Sequence, residues 1–261
     1  MFHRLLSRKL RSLVGAAGSI MLLLLAGCAS NGPIIQGNSS PNPQKTAGSS
    51  PTPVHTQPAV GNLLKRPITY VALGASDAVG VGSNYPGAQG YVPLVGARLP
   101  KGSHIINLGV SGIDLHDALT AELPLALTTS PDLITIWLVA NDFIGGVQYS
   151  DYLKDLDTLL SQLRARTHAV IVMANLPDLT RLPAFAGQTG AQRSHIRALV
   201  EQWNAGIASA AARYGVKLVD LYGHGSELTS HPEYISGDGF HPSPAGYVRL
   251  ADLFWQTITQ G

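Results

Sequence analysis

The feature that most narrows the fold of this chain is an alternation. Five short apolar runs, at residues 68–73, 104–108, 133–139, 169–174 and 216–221, are separated by stretches with helical periodicity. Continuous apolar runs of this length, rich in β-branched residues, suit strands buried on both faces of a parallel sheet. The clearest helical stretch, 151–166, sets Leu153, Leu156, Leu160 and Leu163 at spacings of three and four, with Ser150 placed to cap it. A second spans 191–214. The last opens on Ser243-Pro244, a cap followed by proline at the first helical position, and carries Tyr247, Leu250, Phe254 and Ile258 on one face. Alternating β and α units of this kind predict an α/β fold, a three-layer α/β/α sandwich around a five-stranded parallel sheet. In such sheets the ligand crevice lies beyond the carboxyl ends of the strands. The loops after Leu73, Leu108, Val139 and Ala174 are therefore where function is expected.

The first quarter of the chain reads differently. Arg4, Arg8, Lys9 and Arg11 precede an uncharged stretch, 12–27, whose greasiest part is Met21 to Leu25. A basic n-region, a short apolar h-region and small residues at the end describe an export signal. The apolar part is shorter than the ~18 residues of a spanning helix, which is the competing reading. The segment ends Leu25-Ala26-Gly27-Cys28, which resembles the bacterial lipobox, in which the cysteine is lipidated. Cys28 is the only cysteine, so no internal disulfide is possible. Residues 29–66 are dominated by Ser, Pro, Gly, Asn, Gln and Thr and hold too little apolar surface to offset the entropy of ordering. The expected organisation is a lipoprotein signal at 1–28, a tether at 29–66 and one folded domain at 67–261. Such a protein would sit in the bacterial cell envelope, held to a membrane through Cys28.

Charge excludes one class of partner. Four of the 18 basic residues lie in the signal, leaving 14 against 16 acidic ones, with no basic block. Nucleic acid is not an expected ligand, and a monomer is expected.

The loops beyond the strands gather an unusual set of polar groups. Ser76 follows the first strand in "LGASDA"; "NLGVSG" (Asn107 to Gly112) follows the second, and Asn141-Asp142 follow the third in "WLVANDF". Just before the last helix stands "SGDGFHPSPAGY", with Asp238 and His241 three residues apart. A serine hydroxyl is a poor nucleophile until a base accepts its proton, and histidine is the usual base near neutral pH. The histidine needs a carboxylate or carbonyl on its other nitrogen to fix tautomer and orientation. Backbone N–H groups of Ser76 and Gly109 and the amide of Asn141 supply candidate oxyanion donors from three loops. Taken singly, each has a plainer reading: a turn serine, a turn glycine, an Asx-turn, a local Asp–His hydrogen bond. Asp142 reads as a support for its loop. His116, His224 and His231 read as solvated or structural. No tight histidine or carboxylate pair beyond Asp238/His241 suggests a metal.

These four segments, in this order, resemble the four blocks of the SGNH hydrolases, also called the GDSL family of esterases and lipases. The resemblance covers essentially the whole domain. It implies Ser76 as nucleophile, Asp238 and His241 as its partners, and an oxyanion hole of Ser76, Gly109 and Asn141, with no cofactor. Two positions depart from the pattern. The usual Gly-Asp-Ser-Leu is here Gly74-Ala75-Ser76-Asp77, and Val139 replaces the glycine of Gly-x-Asn-Asp. An α/β-hydrolase would need Gly-x-Ser-x-Gly, and residue 78 is alanine.

The resemblance implies a serine esterase acting on short-chain acyl or acetyl esters, with a small ester or acylated glycan as substrate. The alternative is a weak or inactive module of the same fold that binds envelope glycans or lipids. The loop 175–190 is expected to line the pocket, with Leu179, Leu182 and Phe185 as candidate acyl contacts. No long lid is evident, which suits small or exposed acyl groups.

Overall fold

The computed structural model describes residues 63–260. The expected signal, Cys28 and most of the tether lie outside the described residues. Packing begins earlier than Pro67: Leu63 is buried in the core and Arg66 pairs with Asp132.

The elements follow the chain as β1 (Thr69–Gly74), α1 (Ser76–Val79), α2 (Pro86–Gln89), α3 (Tyr91–Gly96), β2 (His104–Asn107), α4 (Leu115–Ala121), α5 (Leu123–Thr128), β3 (Leu133–Trp137), α6 (Ala140–Gly145), α7 (Tyr149–Arg166), β4 (Val170–Ala174), α8 (Gly190–Arg213), β5 (Lys217–Val219), α9 (Glu227–Ser230) and α10 (Pro244–Thr259). Short 3₁₀ turns at Leu179–Arg181, Pro183–Phe185 and Pro232–Tyr234 join them. The sheet is fully parallel, in the order β2-β1-β3-β4-β5. Helix α10 packs on α3 and on β4 and β5, while α4, α5 and α8 pack on α7. This is the expected five-stranded sandwich.

Strands β1, β3 and β4 are buried along almost their whole length, as continuous apolar runs require. Strand β2 departs from that expectation. It is the edge strand, and His104, Ile105 and Asn107 are exposed. An apolar run reports propensity, whereas burial depends on which strand ends the sheet.

Side-chain caps open three of the ten described helices, α4, α8 and α10. Ser243 accepts from the Gly246 N–H ahead of α10, as the Ser-Pro pair predicts. Helix α8 begins one residue earlier than expected, after a reciprocal capping box of Thr189 and Gln192. Ser150 does not cap α7: that helix already starts at Tyr149, with Gln148 before it making no side-chain cap. Its apolar face, including Leu156, Leu160 and Leu163, is buried as the periodicity requires, whereas Leu153 is only partly buried.

The order β2-β1-β3 means that the chain leaves β1 to one side and returns to its other side. The crevice therefore opens at the carboxyl ends of β1 and β3. Those ends carry Ser76 and Asn141. The last helix is drawn to the same edge by close backbone approach. A Cβ on Gly246 would lie 2.1 Å from the Tyr234 carbonyl oxygen, and one on Gly82 would lie 2.4 Å from that of Pro242. The Tyr247 hydroxyl donates to the Val81 carbonyl at 2.6 Å. Gly246→Ala is expected to destabilise the fold by about 1–3 kcal/mol through this overpacking. The measurement is a urea denaturation midpoint, and an unchanged midpoint would contradict the close approach.

Candidate active site

Ser76 is the first residue of the one-turn helix α1, where β1 ends on Gly74-Ala75. A Cβ on Gly74 would lie 2.8 Å from the Ala78 Cβ, so only glycine lets the strand turn so sharply into the helix. The turn leaves the serine at the strand tip, nearly buried, with its Oγ 2.9 Å from His241 Nε2. These residues stand 165 positions apart in sequence.

The other face of the imidazole is held just as closely. His241 Nδ1 lies 2.6 Å from Asp238 Oδ2. Asp238 Oδ1 accepts from the N–H groups of Phe240 and His241 and from Ser236 Oγ, all within 2.9 Å. Partial burial would raise the Asp238 carboxyl, but the bonds from His241, the two N–H groups and Ser236 outweigh it and bring it down to about 2. A carboxylate only accepts, so Nδ1 carries the proton toward Asp238, and Nε2 of the neutral ring is left to accept from Ser76 Oγ–H. The structure brings the three expected residues into one chain of hydrogen bonds.

The expected oxyanion donors fare unequally. Asn141 donates one amide hydrogen to the Ile113 carbonyl at 2.7 Å, which orients the group and leaves its second N–H. The Ser76 N–H has no acceptor among the described residues. Gly109 is different: its single N–H donates to Asn107 Oδ1 at 3.1 Å. Its glycine character has a packing cause, because a Cβ there would lie 2.7 Å from the Ala78 Cβ and 3.2 Å from the Ala75 carbonyl oxygen. The neighbouring type II turn, Val110 to Ile113, holds Gly112 at φ 85° and leaves the N–H groups of Ser111 and Gly112 without acceptors among the described residues. The motif "NLGVSG" contains two glycines, and only backbone geometry separates the packing glycine from the turn glycine.

Two buried carboxyls stitch the loops together. Both oxygens of Asp142 accept from the Leu115 N–H at 3.1 Å, joining the third loop to the start of α4. Burial pushes this carboxyl up to about 7 against that hydrogen bond. Asp142 therefore supports its loop, as expected. Glu122 had no signal in the sequence. It is buried between α4 and α5, accepts the Gly74 N–H through Oε2 at 3.0 Å, and leaves Oε1 buried without a partner. Gly74 in turn accepts from the Val110 N–H at 3.1 Å, so one side chain braces both the Ser76 turn and the loop beside it. Burial raises the Glu122 carboxyl to about 8, against the N–H of Gly74.

A cavity of about 100 Å³ lies among the sequence neighbours of the site residues, while Ser76, Asp238 and His241 are not themselves in its wall. Its walls include Asp77, Ala140, Phe240 and Pro242, each next in sequence to a residue of the site, together with Leu179, Leu182 and Leu250. Leu179 and Leu182 thus stand where an acyl contact was expected. Phe185 does not: it is fully buried and forms no part of this wall. Asp77 is only 7 % exposed and no other residue donates to it among the described residues. Burial pushes its carboxyl up to about 6, while His241 and its own N–H pull it down and Asp238 pushes it up. His224, Glu227 and Arg249 form an ion cluster on the same wall, with Arg249 holding Glu227 down to about 2. His116 pairs with Asp155, and His231 pairs with Glu233 and stacks on Tyr234; neither lines the cavity. Among the described residues, no group of three or more His, Cys, Asp or Glu is placed to hold a metal ion.

Comparison with known proteins agrees with this fold. Residues 72–249 match the model of the GDSL-like Lipase/Acylhydrolase family. Among solved structures, TesA is 24% identical with a TM-score of 0.59, over 73% of this chain and 98% of that one. An acetylxylan esterase from Geobacillus stearothermophilus, Axe2, is 20% identical with a TM-score of 0.60, over 74% and 95%. A putative GDSL-like lipase from Parabacteroides merdae is 18% identical with a TM-score of 0.62, over 75% and 97%. Identities this low establish the shared fold. No curated protein sequence matches the chain significantly.

Glu122 predicts a pH dependence of stability. Its carboxyl rises from an ordinary 4.5 to about 8 on folding. Its contribution is therefore full below pH 4.5 and is lost as pH rises through 8. Glu122→Gln removes that titration, so its denaturation midpoint is expected to fall less than that of the wild type between pH 5 and 8.5. Parallel profiles for the two proteins would overturn the assignment.

Proposed function

Because the chain belongs to the GDSL-like lipase/acylhydrolase family, we propose that it is a serine esterase working through an acyl-enzyme on Ser76. The observation that carries this reading is the unbroken chain Asp238–His241–Ser76, with contacts of 2.6 and 2.9 Å. His241 Nε2 takes the Ser76 proton as Oγ attacks the ester carbonyl. The tetrahedral oxyanion is held by the Ser76 N–H, the second amide hydrogen of Asn141 and an N–H of the Val110–Ile113 turn, with Gly112 replacing Gly109 in that role. As the intermediate collapses, His241 gives its proton to the departing alkoxide, which leaves as the alcohol. Water, deprotonated by the same nitrogen, then releases the acid. Asp238 stays ionised throughout and holds the ring in its working tautomer.

The cavity whose wall includes Asp77, the residue after Ser76, is where this reading places the acyl group. Its leucine walls extend the expected range from acetyl and short chains to medium ones. Export as a lipoprotein through Cys28 remains the reading of the first 28 residues, and it would place the site at a membrane surface facing acylated envelope material.

Ser76→Ala is expected to abolish hydrolysis of p-nitrophenyl butanoate, and Asn141→Ala to lower kcat by about 10²–10³-fold with little change in KM. Ester hydrolysis by Ser76→Ala at the wild-type rate would remove the nucleophile assignment and return the binding-module reading. Leu182→Trp should narrow the cavity, so kcat/KM should fall more steeply with acyl length, from acetate to octanoate, than in the wild type. A length profile that does not change would place the acyl group elsewhere.

A further inference from the structure

Asp77 is a carboxyl in the wrong place for an acyl pocket. It follows the nucleophile directly, is nine-tenths buried, and lines a cavity whose other walls include Leu179, Leu182, Phe240 and Leu250. No other residue donates a hydrogen bond to it among the described residues. The mechanism above does not use it: Asp238 already holds His241 Nδ1. A nearly buried carboxyl with no donor from another residue is costly in an apolar setting, so its presence asks for something that arrives from outside. Trp137 lines the same cavity, and its indole N–H is buried without a partner.

Resting on the esterase reading, we propose that Asp77 determines specificity: the preferred esters carry a hydroxyl on the acyl chain a few carbons from the carbonyl, and this hydroxyl donates to the Asp77 carboxylate. The position follows from chain adjacency. The acyl carbon is bonded to Ser76 Oγ, and the Asp77 side chain springs from the next residue, so the group it meets lies near the carbonyl end. The chemistry follows from the wall. A plain alkyl chain would strip water from Asp77 and supply no donor. A second carboxylate on the chain would be repelled by it, and would find Arg249 on the same wall already paired with both oxygens of Glu227. An ammonium would lose its hydration among leucines, and Glu227 on that wall is already held by Arg249 and His224. A hydroxyl is small and neutral, donates to the carboxylate, and can also accept, which suits the donor left bare on Trp137. Sites that hydrogen-bond a substrate hydroxyl discriminate strongly against analogues that lack it, because their own polar group is then left unpaired.

The test compares two p-nitrophenyl esters of nearly equal shape, the 3-hydroxybutanoate and the 3-methylbutanoate, within each protein. They share leaving group, nucleophile and acyl size, so their kcat/KM ratio is insensitive to how much of a variant is folded. The wild type is expected to favour the hydroxy ester by at least about tenfold. Asp77→Leu is expected to reverse that preference, and Asp77→Asn, which retains an acceptor, to leave it intermediate. A wild-type ratio near one, or a ratio that Asp77→Leu does not move, would overturn the proposal while leaving the esterase reading in place. A preference for the 3-aminobutanoate ester over the hydroxy ester would also overturn it. Failure of the wild type to hydrolyse any of these esters, or the acetate, would instead count against the esterase reading itself.

Discussion

Everything in this protein depends on two turns meeting: the one that ends β1 and the one that precedes α10. The 2.9 Å contact of Ser76 Oγ with His241 Nε2 joins positions 165 residues apart. It is held by steric fit more than by attraction. Gly82 and Gly246 let three backbone segments approach within distances that no side chain permits, and the Tyr247 hydroxyl ties the last helix to Val81. Asp238 needs no long-range help, because the Asp-x-x-His turn wraps its own N–H groups around the carboxylate. The triad is one local motif and one distant serine, brought together by the packing of α10 against α3 and the sheet.

Around that contact, buried carboxyls act as fasteners. Asp142 holds the start of α4, and Glu122 holds the last residue of β1. Both have carboxyls raised by burial, toward the neutral form that an apolar setting tolerates. Asp238 is the opposite case, with enough donors to remain charged while partly buried. The difference between a brace and a reacting partner lies in the count of donors around each carboxylate. Asp77 belongs to neither group: it has burial with no donor beyond its own N–H, and it faces a cavity.

Much of the fold was legible because it is carried by local patterns. Apolar runs located all five strands, and leucine spacing along 151–166 located α7 within two residues. The Ser-Pro pair located the start of α10. The errors have physical causes. Strand β2 reads as buried but ends the sheet, and nothing in its own four residues records its neighbours. Ser150 looks like a cap, yet α7 begins ahead of it. Phe185 reads as a pocket residue by its place in a loop, and burial takes it out of reach of the cavity.

The sequence by itself determined the fold class and the order of the chemical groups, and its family resemblance picked out the three residues that the structure joins by hydrogen bonds. These depend on periodicity, and on motifs whose spacing is short enough to act locally. Only the tertiary structure decided which glycine of "NLGVSG" packs and which turns, because that depends on φ at Gly112 and on the approach of Ala78 to Gly109. Only the tertiary structure, likewise, found Glu122 beneath the Ser76 turn and left Asp77 facing a cavity with no donor from another residue. A carboxyl has the same letter in every setting, and what it does is set by water and neighbours that assemble from distant parts of the chain.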